Sequence, residues 1–249
     1  MRKVFNWLMA AILTLCGMGA LVSCGNSDNR TTPNVTPLTK WQAGKIVSAE
    51  AIEAYGGIDK CFAAEPIPDD VWERMQDKTY KENPYIGRDD LRHVRALHWD
   101  YDNRMHVGEM VCNKQIADCV AGILRKLFDA KYPIQRMLLP DVYDADDETQ
   151  MRDNNSSCFC YRSIAGSTNL SKHARGLAID INTLYNPYYK VRDDGTLFVQ
   201  PATAEAYCNR DWDFPYKIDH KISASSSSLR LVSSGVATGP RVRTINILN

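Results

Sequence analysis

The apolar residues between positions 92 and 112 follow a strand-like pattern, and this pattern limits the possible folds most strongly. Residues 92–100 and 105–112 are rich in β-branched, aromatic and other apolar side chains, and the turn-forming residues 101–104 separate them. Two such runs joined by a short polar link are typical of a hairpin. We therefore expect an antiparallel strand pair here.

A helix and a third strand are predicted to follow this pair. After Asn113, which is a suitable N-cap, the apolar residues recur at three- and four-residue steps, as on one helical face. They are Ile116, Val120, Ile123, Leu124, Leu127 and Phe128. Residues 134–139 then have the composition of a short apolar strand. The order predicts an α+β fold, in which helices flank a mostly antiparallel sheet.

The amino terminus has the features of an export signal. Arg2 and Lys3 precede an apolar run that is shorter than a typical membrane span. The run ends at the sequence Leu-Val-Ser-Cys, with Cys24 last, which resembles a bacterial lipobox. We expect residues 1–23 to be removed and Cys24 to carry lipid, which would place an exported chain on the bacterial cell envelope. The alternative is a plain signal peptide with an incidental cysteine.

Composition sets broad limits on the partners. The chain has 249 residues with 30 basic and 30 acidic side chains, and this zero net charge argues against nucleic acid as a partner.

Residues 24–60 begin with a polar, proline-containing stretch, and we interpret them as a tether and lead-in. A CxxC pair is missing, which argues against a structural zinc cluster. The sequence leaves the disulfide pairing of the later cysteines open; they are Cys61, Cys112, Cys119, Cys158, Cys160 and Cys208.

Two other polar features have ordinary interpretations. Residues 141–157 are acidic but lack the glycine and glutamate spacing of an EF-hand, so a solvated loop leading into a site is favoured over a calcium site. His93, His98 and His106 lie in the predicted strand pair without a metal-binding spacing, and we expect surface or core histidines. Cys158 and Cys160 are two residues apart, which on a strand would place them on one face.

The residues that indicate chemistry lie between positions 171 and 181. Leu177 and Ile179 alternate with small residues and with Asp180, so a strand here would bury the apolar side chains and leave space before the carboxylate. Gly176 permits a turn that could bring His173 back beside Asp180. Histidine and aspartate are both common zinc ligands. The alternative is an aspartate at a strand edge beside an unrelated histidine.

The string Ser-x-His-x-x-Gly-x-Ala-x-Asp resembles the signature of the zinc D-alanyl-D-alanine carboxypeptidase family, which includes the VanX- and VanY-type enzymes and the L-alanyl-D-glutamate endolysin peptidases. The matching residues are Ser171, His173, Gly176, Ala178 and Asp180, with the apolar Ile179 beside the aspartate. Residues 158–162 and 182–188 also resemble the lipoprotein and endolysin branch. The resemblance covers roughly residues 61–220 and implies a hedgehog-like peptidase domain.

The resemblance implies a zinc ion held by His173, Asp180 and a later histidine, with water in the fourth position. It also implies a carboxylate base three residues before that histidine, and an upstream arginine for the oxyanion or the substrate carboxylate. Arg162 is the candidate, and a surface ion pair is its alternative role. Ser171 either contacts substrate or shapes the turn. The implied substrate is the stem peptide of peptidoglycan.

The chain departs from the family pattern after Asp180. The next histidine is His220, and Lys217 occupies the position of the base. Residues 221–249 are rich in serine and lack acidic and aromatic residues, which predicts a disordered, aberrant tail. Synonymous codons exist for residues 235–249 that encode the family's usual ending in another frame, so we consider a frameshift near His220. The alternatives to an enzyme are an inactive member that at most binds the cell wall, and a structural envelope lipoprotein.

Overall fold

The computed structural model describes residues 38, 40–164, 168–218 and 245–246. The predictions for Cys24 and His220 lie outside these residues. Among the helices that are described, none is long and apolar enough to cross a membrane.

The predicted strand pair forms the main sheet. Strand β2 (Leu91–Trp99) pairs antiparallel with β3 (Met105–Asn113), and Trp99 lies opposite Met105 beside the turn. Strand β1 (Ala63–Glu65) pairs with the other edge of β2, which gives the order β1-β2-β3. The alternating pattern therefore predicted both long strands to within one residue at each end.

The predicted helix covers the sheet. Helix α3 (Ala117–Asp129) buries Val120 and Leu124 in a core that also contains Met110 of β3. Burial of each such side chain contributes about 1.5–3 kcal/mol, so the apolar stripe is sufficient to dock the helix. The predicted cap at Asn113 is wrong, because Asn113 is the last residue of β3 and its Oδ1 accepts the N–H of Gln115.

Three shorter helices are also present in the described residues. They are α1 (Ala49–Tyr55), α2 (Asp69–Met75) and α4 (Asp147–Arg152). Helix α4 begins where Asp146 Oδ1 accepts the N–H of Thr149 at 2.8 Å. A 3-10 turn at Pro140–Tyr143 precedes it. The prediction of a solvated loop over residues 141–157 is therefore wrong: the polar composition hid a turn and a capped helix.

Residues 134–139 do not form the predicted strand. The backbone N–H of Gln135 donates to Asn182 Oδ1 at 3.0 Å, and that of Leu138 donates to Asn155 Oδ1 at 2.9 Å. Side-chain amides thus accept these two N–H groups, and only isolated backbone bonds, such as that from Ile134 N–H to the Trp99 carbonyl, join the segment to the sheet. An apolar pattern cannot reveal this, because the partners come from distant positions.

Two small antiparallel pairs account for the remaining strands. Strand β4 (Ala178–Ile179) pairs with β7 (Ile245–Asn246), and β5 (Tyr188–Val191) pairs with β6 (Leu197–Gln200). The rest of residues 221–249 lies outside the described part, so the prediction for that tail stays a prediction. The fold is α+β with small antiparallel sheets.

Candidate active site

A tight turn places His173 at the site. Residues His173–Arg175 form a 3-10 turn that ends at Gly176, whose φ of +64° is the left-handed conformation that favours glycine. A Cβ on Gly176 would lie 2.7 Å from the backbone nitrogen of Asn113. The Gly176 carbonyl accepts the Asn113 N–H at 2.9 Å, which ties the turn to the end of β3.

Asp180 is held by its backbone beside this turn. Its N–H donates to the Ser157 carbonyl at 2.9 Å, and its carbonyl accepts the Ser157 N–H at 3.0 Å. Ile179 and Ile181 on either side are buried in the same core as α3. The alternation read from the sequence is thus present, with the apolar residues inside and the carboxylate on the other face.

The turn brings the two polar side chains together. His173 Nε2 lies 3.2 Å from Asp180 Oδ2, and both side chains are partly accessible to solvent. The proximity expected from Gly176 is therefore found. The other contacts of His173 indicate what the pair can bind.

The second ring nitrogen of His173 sets its tautomer. Nδ1 lies 2.7 Å from the carbonyl oxygen of Cys158, and an acceptor there requires Nδ1 to carry the proton. Nε2 is therefore the ring nitrogen that faces Asp180 and that a metal ion would use. Metal-bound histidines commonly show this arrangement, in which a backbone carbonyl orients the ring and fixes the tautomer.

The separation of the pair fits two ligands of one zinc ion. Tetrahedral ligands at the usual zinc distances of about 2.0–2.2 Å lie about 3.4 Å apart, close to the 3.2 Å between Nε2 and Oδ2. In the part of the chain that is described, no group of three or more histidine, cysteine or acidic side chains could hold a metal ion. Of the predicted ligand set, the described residues bring His173 and Asp180 together.

The side chain of Arg162 pairs with Asp147, a partner that the sequence did not reveal. Its Nε lies 2.6 Å from Asp147 Oδ2, at the first turn of α4. Burial raises the pKa of the Asp147 carboxyl, and the charge of Arg162 opposes this rise. The pair is partly buried, which does not match the surface ion pair considered from the sequence.

Ser171 lies at the start of the turn and is buried. Its Oγ accepts the His173 N–H at 3.2 Å, and its own N–H donates to the Arg162 carbonyl at 3.1 Å. These contacts support the turn-shaping role that the sequence left open. They connect the backbone of the candidate arginine to that of the candidate ligand.

The two cysteines near the site, Cys158 and Cys160, are buried, and neither lies in a strand. Cys158 Sγ lies 3.3 Å from the Gly176 carbonyl, and burial raises the pKa of its thiol well above the usual value. Burial also raises the pKa of Cys160 to about 11. Because nucleophilic cysteines need an accessible thiolate, both are suited to packing. All six cysteines from Cys61 onward are free thiols.

The three histidines of the strand pair lie in the core or near it, as expected. His93 Nε2 pairs with Glu109 Oε2 at 2.8 Å, and His106 Nε2 pairs with Asp100 Oδ2 at 2.8 Å. His98 Nδ1 lies 2.6 Å from the Ile134 carbonyl. Each histidine has a protein partner that accounts for its place in the strand pair.

Residues 165–224 match the sequence profile of the D-alanyl-D-alanine carboxypeptidase family, a family of peptidases. The match supports a relation to this family over that segment. It contains both members of the pair, His173 and Asp180, together with the turn at Gly176. Neither the curated proteins nor the solved structures gave a match to the chain.

The family segment begins after two of the site residues. Asp147 and Arg162 precede residue 165, so their assignment to the carboxypeptidase site depends on the contacts described above. Asp147 carries no motif that could have identified it. Its nearest signal was Asp146, which is suitable as an N-cap and places a helix start at this point.

Proposed function

We propose that the chain is a zinc metallopeptidase that acts on peptidoglycan stem peptides as a D-alanyl-D-alanine carboxypeptidase. The approach of His173 to Asp180 within the family segment carries this proposal. Zinc bound by these two residues would polarise a peptide carbonyl and lower the pKa of a water molecule toward about 7. A further ligand would come from outside the described residues.

The protein groups around this pair have distinct proposed roles. His173 and Asp180 hold the ion, and the Cys158 carbonyl keeps the imidazole in the tautomer that leaves Nε2 available. The guanidinium of Arg162 binds the developing oxyanion or the terminal carboxylate of the peptide. Ser171 supports the turn. Contact with the substrate is its alternative role.

The amino-terminal sequence supports a location for this activity. A lipid on Cys24 would hold the enzyme at the bacterial envelope, where its substrate is found, and residues 24–60 would supply reach. The hedgehog-like arrangement of the peptidase domain over residues 61–220 is part of the same proposal.

The second candidate is an inactive member of the family that at most binds cell-wall peptide. It is favoured by the donor set, because the described residues provide two ligands and Lys217 stands where the family has a carboxylate. Loss of a residue that binds the metal directly should cost more than the 10–100-fold typical for loss of a residue that only orients a ligand. A frameshift near His220 would explain this ending. The DNA sequence there decides it: codons that cannot encode the family ending in another frame remove the idea.

Release of D-alanine separates the two candidates. The purified chain without its signal is incubated with an N-acetylated peptide ending in D-alanyl-D-alanine, with zinc or with a chelator. We expect release that depends on zinc and that His173→Ala lowers by more than about 100-fold. If zinc-loaded wild-type protein releases no D-alanine, the proposal of an active carboxypeptidase is contradicted and the inactive family member is favoured. Parallel assay of an L-alanyl-D-glutamate bond tests the alternative substrate.

A further inference from the structure

We propose that Asp147 is a positioning residue, whose carboxylate holds the Arg162 guanidinium beside the His173–Asp180 pair. This inference rests on the proposed peptidase function and adds a residue outside the family segment. The carboxylate lies at the start of α4, and its Oδ2 is 2.6 Å from Arg162 Nε. The side chains are 22% and 31% exposed, respectively, so the pair is shielded more than an ordinary surface ion pair.

Both oxygens of the carboxylate have a partner. Gln150 Nε2 donates to Asp147 Oδ1 at 2.9 Å, one turn further along α4. Ser157 Oγ donates to Gln150 Oε1 at 3.2 Å. Since Ser157 also pairs through its backbone with Asp180, the orientation of the carboxylate is linked to that of the candidate ligand.

The other side of Arg162 is linked to the second candidate ligand. Its carbonyl accepts the N–H of Ser171, and Ser171 Oγ accepts the N–H of His173. Asp147 and Arg162 therefore close a ring of polar contacts that passes through both His173 and Asp180. Such a ring sets the distance between the arginine and the pair, which is the geometry a reaction at this site depends on.

The electrostatic surroundings agree with this position. The charges of Asp180 and His173 both act on the pKa of Asp147, which burial raises. Cys160 lies close to both members of the pair: the charges of Asp147 and Arg162 act on its thiol, and Arg162 also hydrogen-bonds it. The contact between Asp147 and Arg162 is an ion pair and not an aligned hydrogen bond, because Arg162 Nε is buried without a hydrogen-bond partner among the described residues.

The test compares Asp147→Asn with Glu148→Gln. Glu148 has the same charge in the same helical turn, and its Oε1 accepts the N–H of Ala202, which a glutamine can still do. Removal of charge at the helix N-terminus is thus matched, while the ion pair with Arg162 is lost in one variant alone. Thermal unfolding of both proteins shows whether they remain folded.

The first readout does not depend on activity. The Nε–H resonance of Arg162 is assigned by its absence in Arg162→Lys. We expect Asp147→Asn to shift this resonance, Asp147→Glu to restore it in part, and Glu148→Gln to leave it in place. A resonance that is unchanged in Asp147→Asn would overturn the proposal.

The second readout is D-alanine release from the N-acetylated peptide. We expect Asp147→Asn to lower kcat/KM by about 100-fold, as expected for a misplaced group. The double variant with Arg162→Lys should be no slower than Arg162→Lys alone, because Asp147 acts through Arg162. Losses that multiply would overturn the proposal, as would a fall in zinc affinity equal to that of Asp180→Asn, which would make Asp147 a ligand. A wild type that releases no D-alanine overturns the proposed function, and the Nε resonance then decides the pairing.

Discussion

Two histidine–carboxylate pairs in this chain differ in how far their side chains are exposed to solvent. In the strand pair, His93 Nε2 lies 2.8 Å from Glu109 Oε2, and the side chains are 4% and 5% exposed. At the turn, His173 Nε2 lies 3.2 Å from Asp180 Oδ2, and the side chains are 11% and 25% exposed. The first pair is closed to solvent and the second is open.

The partners of the closed pair explain its role. Arg74 Nη2 takes the other oxygen of Glu109 at 2.8 Å, so each carboxylate oxygen has a cationic or potentially cationic partner. Burial alone would raise the pKa of Glu109, but the hydrogen bond from His93 and the charge of Arg74 outweigh it, and the pKa is lowered. The same two residue types thus serve structure when closed and are available for a ligand when open.

The largest effect on stability is expected from Glu109→Gln. It leaves the buried imidazole without its carboxylate, and loss of one member of a buried pair typically costs about 3–5 kcal/mol. Arg74 is partly exposed and can be hydrated, so we expect a value near the lower end. Urea unfolding measures it, with Asp180→Asn as the matched variant. An Asp180→Asn protein that loses as much stability would show that the open pair is structural too.

A pH-dependent effect of similar size belongs to His98 in the closed region. Burial is the main cause that lowers its pKa from 6.5 to about 4, helped by the charge of His106, while Asp100 acts in the opposite direction. The folded chain therefore binds this proton less readily than the unfolded chain. The stability that neutral His98 provides is complete above pH 6.5 and is lost as the pH falls toward 4. The difference amounts to about 3 kcal/mol.

Unfolding free energies measured between pH 7 and pH 4 check this expectation. His98→Gln keeps a donor toward the Ile134 carbonyl and removes the titration, so its stability should vary less over this range. The pKa of Asp100 is lowered to about 2, and its own loss of stability falls below this window. An equal slope in both proteins would assign the pH dependence to another group.

Much of the main sheet could be predicted from the sequence, because its contacts are repeated along the chain. Strands β2 and β3 and helix α3 show regular periods, and each period reports which face is buried. The turn at Gly176 was equally readable, since glycine accepts the left-handed conformation without strain.

The remaining structure depends on contacts between distant positions. Helix α4 is six residues long and polar, so it shows no apolar period, and Asp147 acquires its partner only when residue 162 folds back onto it. Residues 134–139 look like a strand until the amides of Asn155 and Asn182 take their N–H groups. The sequence pattern of a single segment cannot predict such partners, because they lie far away in the chain. These partners hold the segments that surround the candidate site.

The affinity for zinc tests the central claim that His173 and Asp180 together form a metal site. It is measured by competition with a chelating dye for the wild type, Asp180→Asn and Glu109→Gln. We predict that Asp180→Asn weakens binding by at least about 100-fold, and that Glu109→Gln binds as the wild type does. A wild-type chain that binds no zinc, or an Asp180→Asn protein that binds it as tightly as the wild type, would contradict the account.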